Sequence, residues 1–189
     1  MRVLHVSSGN LYGGIETMLL AMAKHASSCP AMEPSFGLCF QGRLFGQLAD
    51  SGATVFDLGA VRVRQPWSVW EARRRLTSIC RRERFDWVIC HSPWPHAIFG
   101  NVARKTGQRL AFWLHDSIDG SHWLQRWAKR TRPDLAIANS RFTGTGLKAL
   151  FGERMSTVVS YPIVAQRETP LPRTRVRQEL GILPEDAVI

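Results

Sequence analysis

Residues 3–20, VLHVSSGNLYGGIETMLL, restrict the fold more than any other stretch of the chain. An apolar, β-type run (Val3, Leu4, Val6) passes through Ser7-Ser8-Gly9-Asn10 to Gly13-Gly14, and a helical pattern starts at Ile15-Glu16. Strand, Gly-rich turn and helix in that order open a βαβ unit, and such a turn points free backbone N–H groups at an anion. The two glycines allow the backbone to approach a phosphate with no Cβ in the way. The bland alternative is a tight turn made for packing alone.

The same alternation continues down the chain. Apolar runs at 35–40, 54–58, 86–90, 110–114, 135–138 and 157–160 read as strands. Helical patterns separate them at 15–27, 43–51, 67–83, 95–105, 123–129 and 141–150. Short strands that are apolar on both faces, each followed by a helix, predict an α/β fold with a doubly wound, mainly parallel sheet covered on both sides. Two segments repeat one grammar: RFDWVICHS (84–92) and RPDLAIANS (132–140) both read Arg-x-Asp, four apolar residues, one polar residue, Ser. The serines, Ser92 and Ser140, are natural caps for the helices that follow.

From Pro162 the texture changes to PIVAQRETPLPRTR, without periodicity and rich in Pro and charge, which reads as a linker. VRQELGI then suggests a short helix stopped at Gly181, and Ala187-Val188-Ile189 looks like the first residues of a new strand. The expected division is a domain over 1–161 and, over 162–189, a linker with the truncated start of a second domain.

The formal net charge of +10 permits nucleic acid, an anionic membrane surface or a phosphorylated small molecule, without choosing among them. No stretch resembles a helix-turn-helix, an RNA-recognition motif or a zinc finger, and the basic residues are spread over many elements, which argues against nucleic acid. No apolar run is long enough for a membrane span, and the N-terminus has no secretory pattern. Cys29, Cys39, Cys80 and Cys90 lie far apart with no CxxC pair; Cys39 and Cys90 fall in expected strands. A reducing, cytoplasmic setting without structural zinc fits that usage.

The glycine spacing Gly9-x-x-x-Gly13-Gly14 is neither G-x-G-x-x-G nor a P-loop, and no acid stands near Gln41 at the end of the second strand. NAD binding and P-loop chemistry are disfavoured. VLHVSSGNLYGGIET, HSPWPH, WLHD, ANSRFT and VRQELGI together resemble, in order, the N-terminal half of retaining glycosyltransferases of the GT-B fold, the family 4 type. That resemblance implies a Rossmann-like, acceptor-side domain of a nucleotide-sugar-dependent enzyme that needs no metal or other cofactor. Its acceptor would be a sugar or a lipid-linked or envelope molecule, and its transfer would retain anomeric configuration.

Carried over by residue, the resemblance places Gly13 and Gly14 against the donor diphosphate. It makes Glu16, at the head of the first helix, a structural or acceptor-side group, a position the helix dipole favours anyway. His115 matches the histidine near the transferred sugar, and Asp116 would orient its imidazole or bind an acceptor hydroxyl. Ligands bind at strand C-termini in such sheets, which independently points to His115, Asp116, His91 and Ser92. Against these stand plainer readings: His115-Asp116 as a strand-end turn, and His91 and His96 as packing or surface groups. His5 reads as a satisfied interior group, His25 and His122 as solvated, and Asn139 as first a helix-cap residue.

In the long helix Val69, Ala72, Leu76, Ile79 and Cys80 form one stripe facing the sheet, with Trp67, Trp70, Arg74 and Arg81 on the other side. A charged helix face is ordinarily just solvated, but Trp among Arg is also what an interfacial helix offers anionic headgroups, implying peripheral membrane attachment. Two readings compete with a transferase: a non-catalytic sugar-phosphate or nucleotide-binding module, and a basic nucleic-acid-binding domain.

Overall fold

A computed structural model describes residues 1–152, 156–161, 173–183 and 186. It contains β1 (Arg2–Ser7), α1 (Gly14–Lys24), β2 (Glu33–Leu38), α2 (Arg43–Asp50), β3 (Thr54–Asp57), α3 (Pro66–Glu83) and β4 (Trp87–His91). There follow α4 (Pro93–Lys105), β5 (Arg109–Leu114), α5 (Trp123–Lys129), β6 (Leu135–Ala138), α6 (Arg141–Phe151), β7 (Ser156–Val158) and α7 (Arg173–Glu179). The seven strands are all parallel, in the order β3-β2-β1-β4-β5-β6-β7. Chain order reverses between β1 and β4, so the crevice that ligands use in such sheets opens above the C-terminal ends of those two strands.

Strand parity divides the molecule into two faces. Leu4, Val6, Val88, Cys90 and Leu110 pack with α3 and α4, while Phe112, Leu114, Ala136 and Ala138 pack with α6. The opposite face carries Phe36, Leu38, Trp113 and Ile137 against Met18, Leu19 and Leu20 of α1 and Leu44 and Leu48 of α2. The expected stripe of α3 is buried in full: Val69, Ala72, Leu76, Ile79 and Cys80 all face the core. Each such side chain, fully buried, contributes roughly 1.5–3 kcal/mol if it is a Val, Leu or Ile. Pro66 sits in the first turn, where its missing N–H costs nothing.

The repeated Arg-x-Asp grammar sets strand register. Asp86 Oδ2 accepts from the N–H of Arg2 at 2.7 Å while the Asp86 N–H donates to the Arg2 carbonyl. Asp134 treats Leu110 in the same way, its Oδ2 accepting at 2.8 Å and its N–H returning the bond. Each Asp therefore clamps the first turn of its own strand to the neighbouring strand, β4 to β1 and β6 to β5.

Boundaries depart from expectation in instructive places. Strand β2 ends at Leu38, so Cys39 is buried just beyond the strand and not within it. Helix α1 ends at Lys24 and a 3₁₀ turn takes Ala26–Ser28. Helix α4 starts at Pro93, two residues early. Helix α7 starts at Arg173, three residues inside the linker expected over 162–175, and the rest of that linker (162–172) and the final strand expected over 187–189 lie outside the described residues.

Of the two expected caps, one forms. Ser140 Oγ accepts from the Thr143 N–H at 3.1 Å, and Thr143 Oγ1 in return accepts from the Ser140 N–H. Ser92 makes no cap bond, and its Oγ is buried without a partner. Pro95, at the third helical position, has no N–H to give, and Ser92 lacks the β-region backbone from which a cap would reach the remaining Trp94 N–H. Ser92 also holds φ 75°, ψ 168°, a region almost reserved for glycine.

Candidate active site

Three strands deliver histidines to the face covered by α1. His5 on β1 stands level with Ile89 of β4, and His91 stands level with Trp113 of β5. His115 lies two residues past Trp113 with the same parity. Each histidine is thus one strand over and two residues further along, a step of about 4.8 Å across and about 6.6 Å up. The side chains lean together across these steps. His5 Nδ1 lies 3.0 Å from His91 Nε2, and His91 Nδ1 lies 2.9 Å from His115 Nε2. The rings are stacked, with centroids 5.3 and 5.1 Å apart, and Phe36, Trp113 and Tyr161 flank them.

His115 Nδ1 is bonded to the Tyr161 hydroxyl. The Asn139 side chain joins this end: its Nδ2 donates to the His115 carbonyl at 3.1 Å, and its Oδ1 accepts from Thr143 at 2.6 Å. Asn139 is therefore more than a cap residue. It ties the end of β5 to the start of α6.

Burial decides the charge of the row. It pulls His5 down to about 4 and His115 down to about 3. His91 is lowered well below its ordinary value by burial first, then by its two histidine neighbours. All three are neutral at pH 7. His115 thus offers no cation to a leaving diphosphate. Tyr161 is raised, first by burial, against a hydrogen bond with Asn139, and the carboxylates of Asp116 and Glu16 add to the rise.

The expected site residues come together only in part. Gly14 and His115 lie against Tyr161, Glu16 is bonded to Gly13 beside them, and His91 stands behind His115. Asp116 is exposed at the end of β5, and it does not orient the imidazole: both nitrogens of His115 are engaged elsewhere. His5 is half satisfied, for its Nε2 is buried without a partner. His96 is a packing group, bonded through Nε2 to the Thr131 carbonyl and edge-on to Phe112 and Phe151. His25 and His122 are exposed.

At the glycine loop, the Gly13 N–H is not free: it donates to Glu16 Oε2 at 2.9 Å, so the buried Glu16 caps its own helix. Gly9 is demanded by the chain itself, with φ +78° and room for no side chain beneath the Phe40 carbonyl. The pair differs. A Cβ on Gly13 would come no nearer than 3.8 Å to Glu16, and one on Gly14 would make ordinary contact with Tyr161 at 3.4 Å. Internal packing therefore gives no reason for Gly13-Gly14. Tyr161 itself was missed by sequence reasoning, since it follows β7 in no motif.

Comparison with known proteins bears on the family and the fold. No match to a curated protein was found. Among solved structures, Anabaena Alr3699/HepE in complex with UDP-glucose is 19% identical, with TM-score 0.73 over 96% of this chain and 50% of that one. A glycosyltransferase from Rickettsia africae is 16% identical, with TM-score 0.72 over 97% and 50%. Acinetobacter baumannii MurG is 12% identical, with TM-score 0.63 over 90% and 50%. The chain spans about half the length of these structures and has the fold of the N-terminal half of GT-B glycosyltransferases. The profile of Glycosyltransferase Family 4 matches residues 12–166, most of the sequence, and the chain belongs to that family.

Proposed function

We propose that the chain is the acceptor-side half of a nucleotide-sugar-dependent glycosyltransferase, with the donor diphosphate lying across Gly13-Gly14 and the transferred sugar beside His115 and Tyr161. The observation that carries this is the glycine pair: side chains would fit there, so the space is kept for something other than the chain. The remaining N–H groups of the first turn of α1 point to that space, and the helix dipole favours a negative group in it. Above the β1/β4 reversal the site also has Glu16 and Asp116, which suit hydroxyls of a sugar acceptor. The same family membership supports transfer with retention. In that chemistry the residues here position and polarise, because bringing donor and acceptor into line supplies much of the rate.

The test is turnover by the intact protein with UDP-glucose and other nucleotide sugars, with the anomeric configuration of the product read by NMR. His115→Ala should cut kcat at least tenfold while the domain stays folded; undiminished turnover would remove His115 from the site. The 189-residue chain alone should bind a nucleotide sugar weakly and turn none over, and measurable turnover would refute the need for a second half.

The outer face of α3 supports peripheral attachment to the inner face of a membrane. Trp67 and Trp70 are 65% and 63% exposed, the Arg74 guanidinium lies 5.6 Å over the Trp70 ring, and Arg81 extends the row. No helix among the described residues is long and apolar enough to cross a membrane. Co-sedimentation with anionic over neutral vesicles checks this, and equal binding to both would end it.

A further inference from the structure

The row of imidazoles has a direction. A neutral imidazole has one N–H and one lone pair, so a chain built of N–H···N links can point only two ways, and reversing one link reverses all. Pointing inward, Tyr161 donates to His115 Nδ1, His115 to His91, His91 to His5, and the last proton rests on His5 Nε2. That nitrogen is buried without a partner. Pointing outward, each histidine carries its proton on Nδ1, and His5 Nε2 is left with only a lone pair. A buried N–H with no acceptor is rarer in folded proteins than an acceptor left short.

Asn139 holds the backbone at the outer end of the row. Its amide sense is fixed, because Nδ2 gives a proton to the His115 carbonyl and Oδ1 accepts from Thr143. With the row pointing outward, Tyr161 Oη accepts from His115 Nδ1. Its own proton then points away from that bond. The three rings are not arranged around a common point: no group of three such side chains among the described residues is placed to hold a metal ion.

We propose that this chain of hydrogen bonds runs outward from His5, fixes His115 as its Nδ1–H tautomer, and leaves the Tyr161 hydroxyl as a hydrogen-bond donor facing the cleft, with His5 and His91 as positioning residues. His115 then has no free nitrogen for a ligand, and the group that touches it is Tyr161. A donor set beside two carboxylates suits a neutral hydroxyl, which accepts from Tyr161 and gives its own proton to Glu16 or Asp116. That this donor faces a substrate rests on the transferase reading above. The tautomers do not, so the two ideas fail separately.

The experiment is long-range ¹H–¹⁵N NMR of the protein at neutral pH, with the histidines assigned by single substitution. The expected result is Nδ1 protonated and Nε2 bare on His5, His91 and His115, with N–N couplings across both imidazole links. A proton on Nε2 of His91 or His115, or an imidazolium at either, overturns the proposal. Tyr161→Phe, at the edge of the domain, removes the outer acceptor. It should leave the His5 and His91 signals in place while the His115 Nδ1 proton comes into exchange with water. A His115 signal that does not change means Tyr161 accepts nothing from it. His91→Phe should turn the single His115 tautomer into a mixture, and a pure Nδ1–H signal in that variant would deny His91 its positioning role. Should that variant fail to fold, the measurement on the unaltered chain still decides.

Discussion

Acid should unfold this domain well above the range where carboxylates titrate. His5, His91, His96 and His115 are buried and neutral, with His5 and His96 held at about 4 and His115 at about 3. In the unfolded chain each titrates near the ordinary value of about 6.5. Between the two values the unfolded state binds protons that the folded state refuses, so stability rises with pH. The contribution is fully present above about pH 7 and is lost as pH falls toward the folded values. From about pH 6 to about pH 5, His5, His96 and His115 each remove about 1.2 kcal/mol, together about 3.6 kcal/mol, and His91 acts in the same direction. That is a large share of the roughly 5–15 kcal/mol that holds an ordinary domain together. Urea unfolding followed by Trp fluorescence at about pH 7, 6 and 5 measures it. His96→Phe, in a site walled by Phe112 and Phe151, should lower the slope by about a quarter. A stability that changes by less than about 1 kcal/mol over this window would mean that the imidazoles are not buried neutral, and the account of the row would fall with it.

Two further outcomes concern stability. Ser140→Ala should cost about 1 kcal/mol by removing a cap, whereas Ser92→Gly should gain roughly 1 kcal/mol, because it relieves φ 75° and loses no cap bond; denaturation midpoints of the two variants should move in opposite directions. Asp134→Ala should cost about 1–3 kcal/mol by leaving the Leu110 N–H unpaired at the edge of the sheet, and hydrogen exchange at that amide should accelerate with it.

The alternation of strands and helices was legible because it depends on local patterns: parity in the strands, the α3 stripe, Gly52 after α2, Pro66 opening α3. What sequence could not supply was which strands are neighbours. His5, His91 and His115 look unrelated along the chain, and become a row only when β1, β4 and β5 lie side by side with β4 clamped by Asp86. Shared parity was the available clue, since each falls on the same face of its strand near the C-terminal end. Tyr161 carried no signal, because its role comes from its ring lying beside Gly14 and its hydroxyl meeting His115, contacts made only in the folded chain. The failed cap at Ser92 was readable in principle: the repeat that suggested it differs from its twin by the proline three residues on.

The two aspartate clamps have a consequence for how such a chain can change. Both act where strands begin, while every residue of the candidate site sits where strands end. Alignment is settled at one rim of the sheet and the candidate site lies toward the other. Segments following the strands can then be exchanged, lengthened or redesigned for a new acceptor without loosening what holds the strands in step. A chimera carrying foreign loops after β1, β4 and β5 should keep its melting behaviour while its specificity moves.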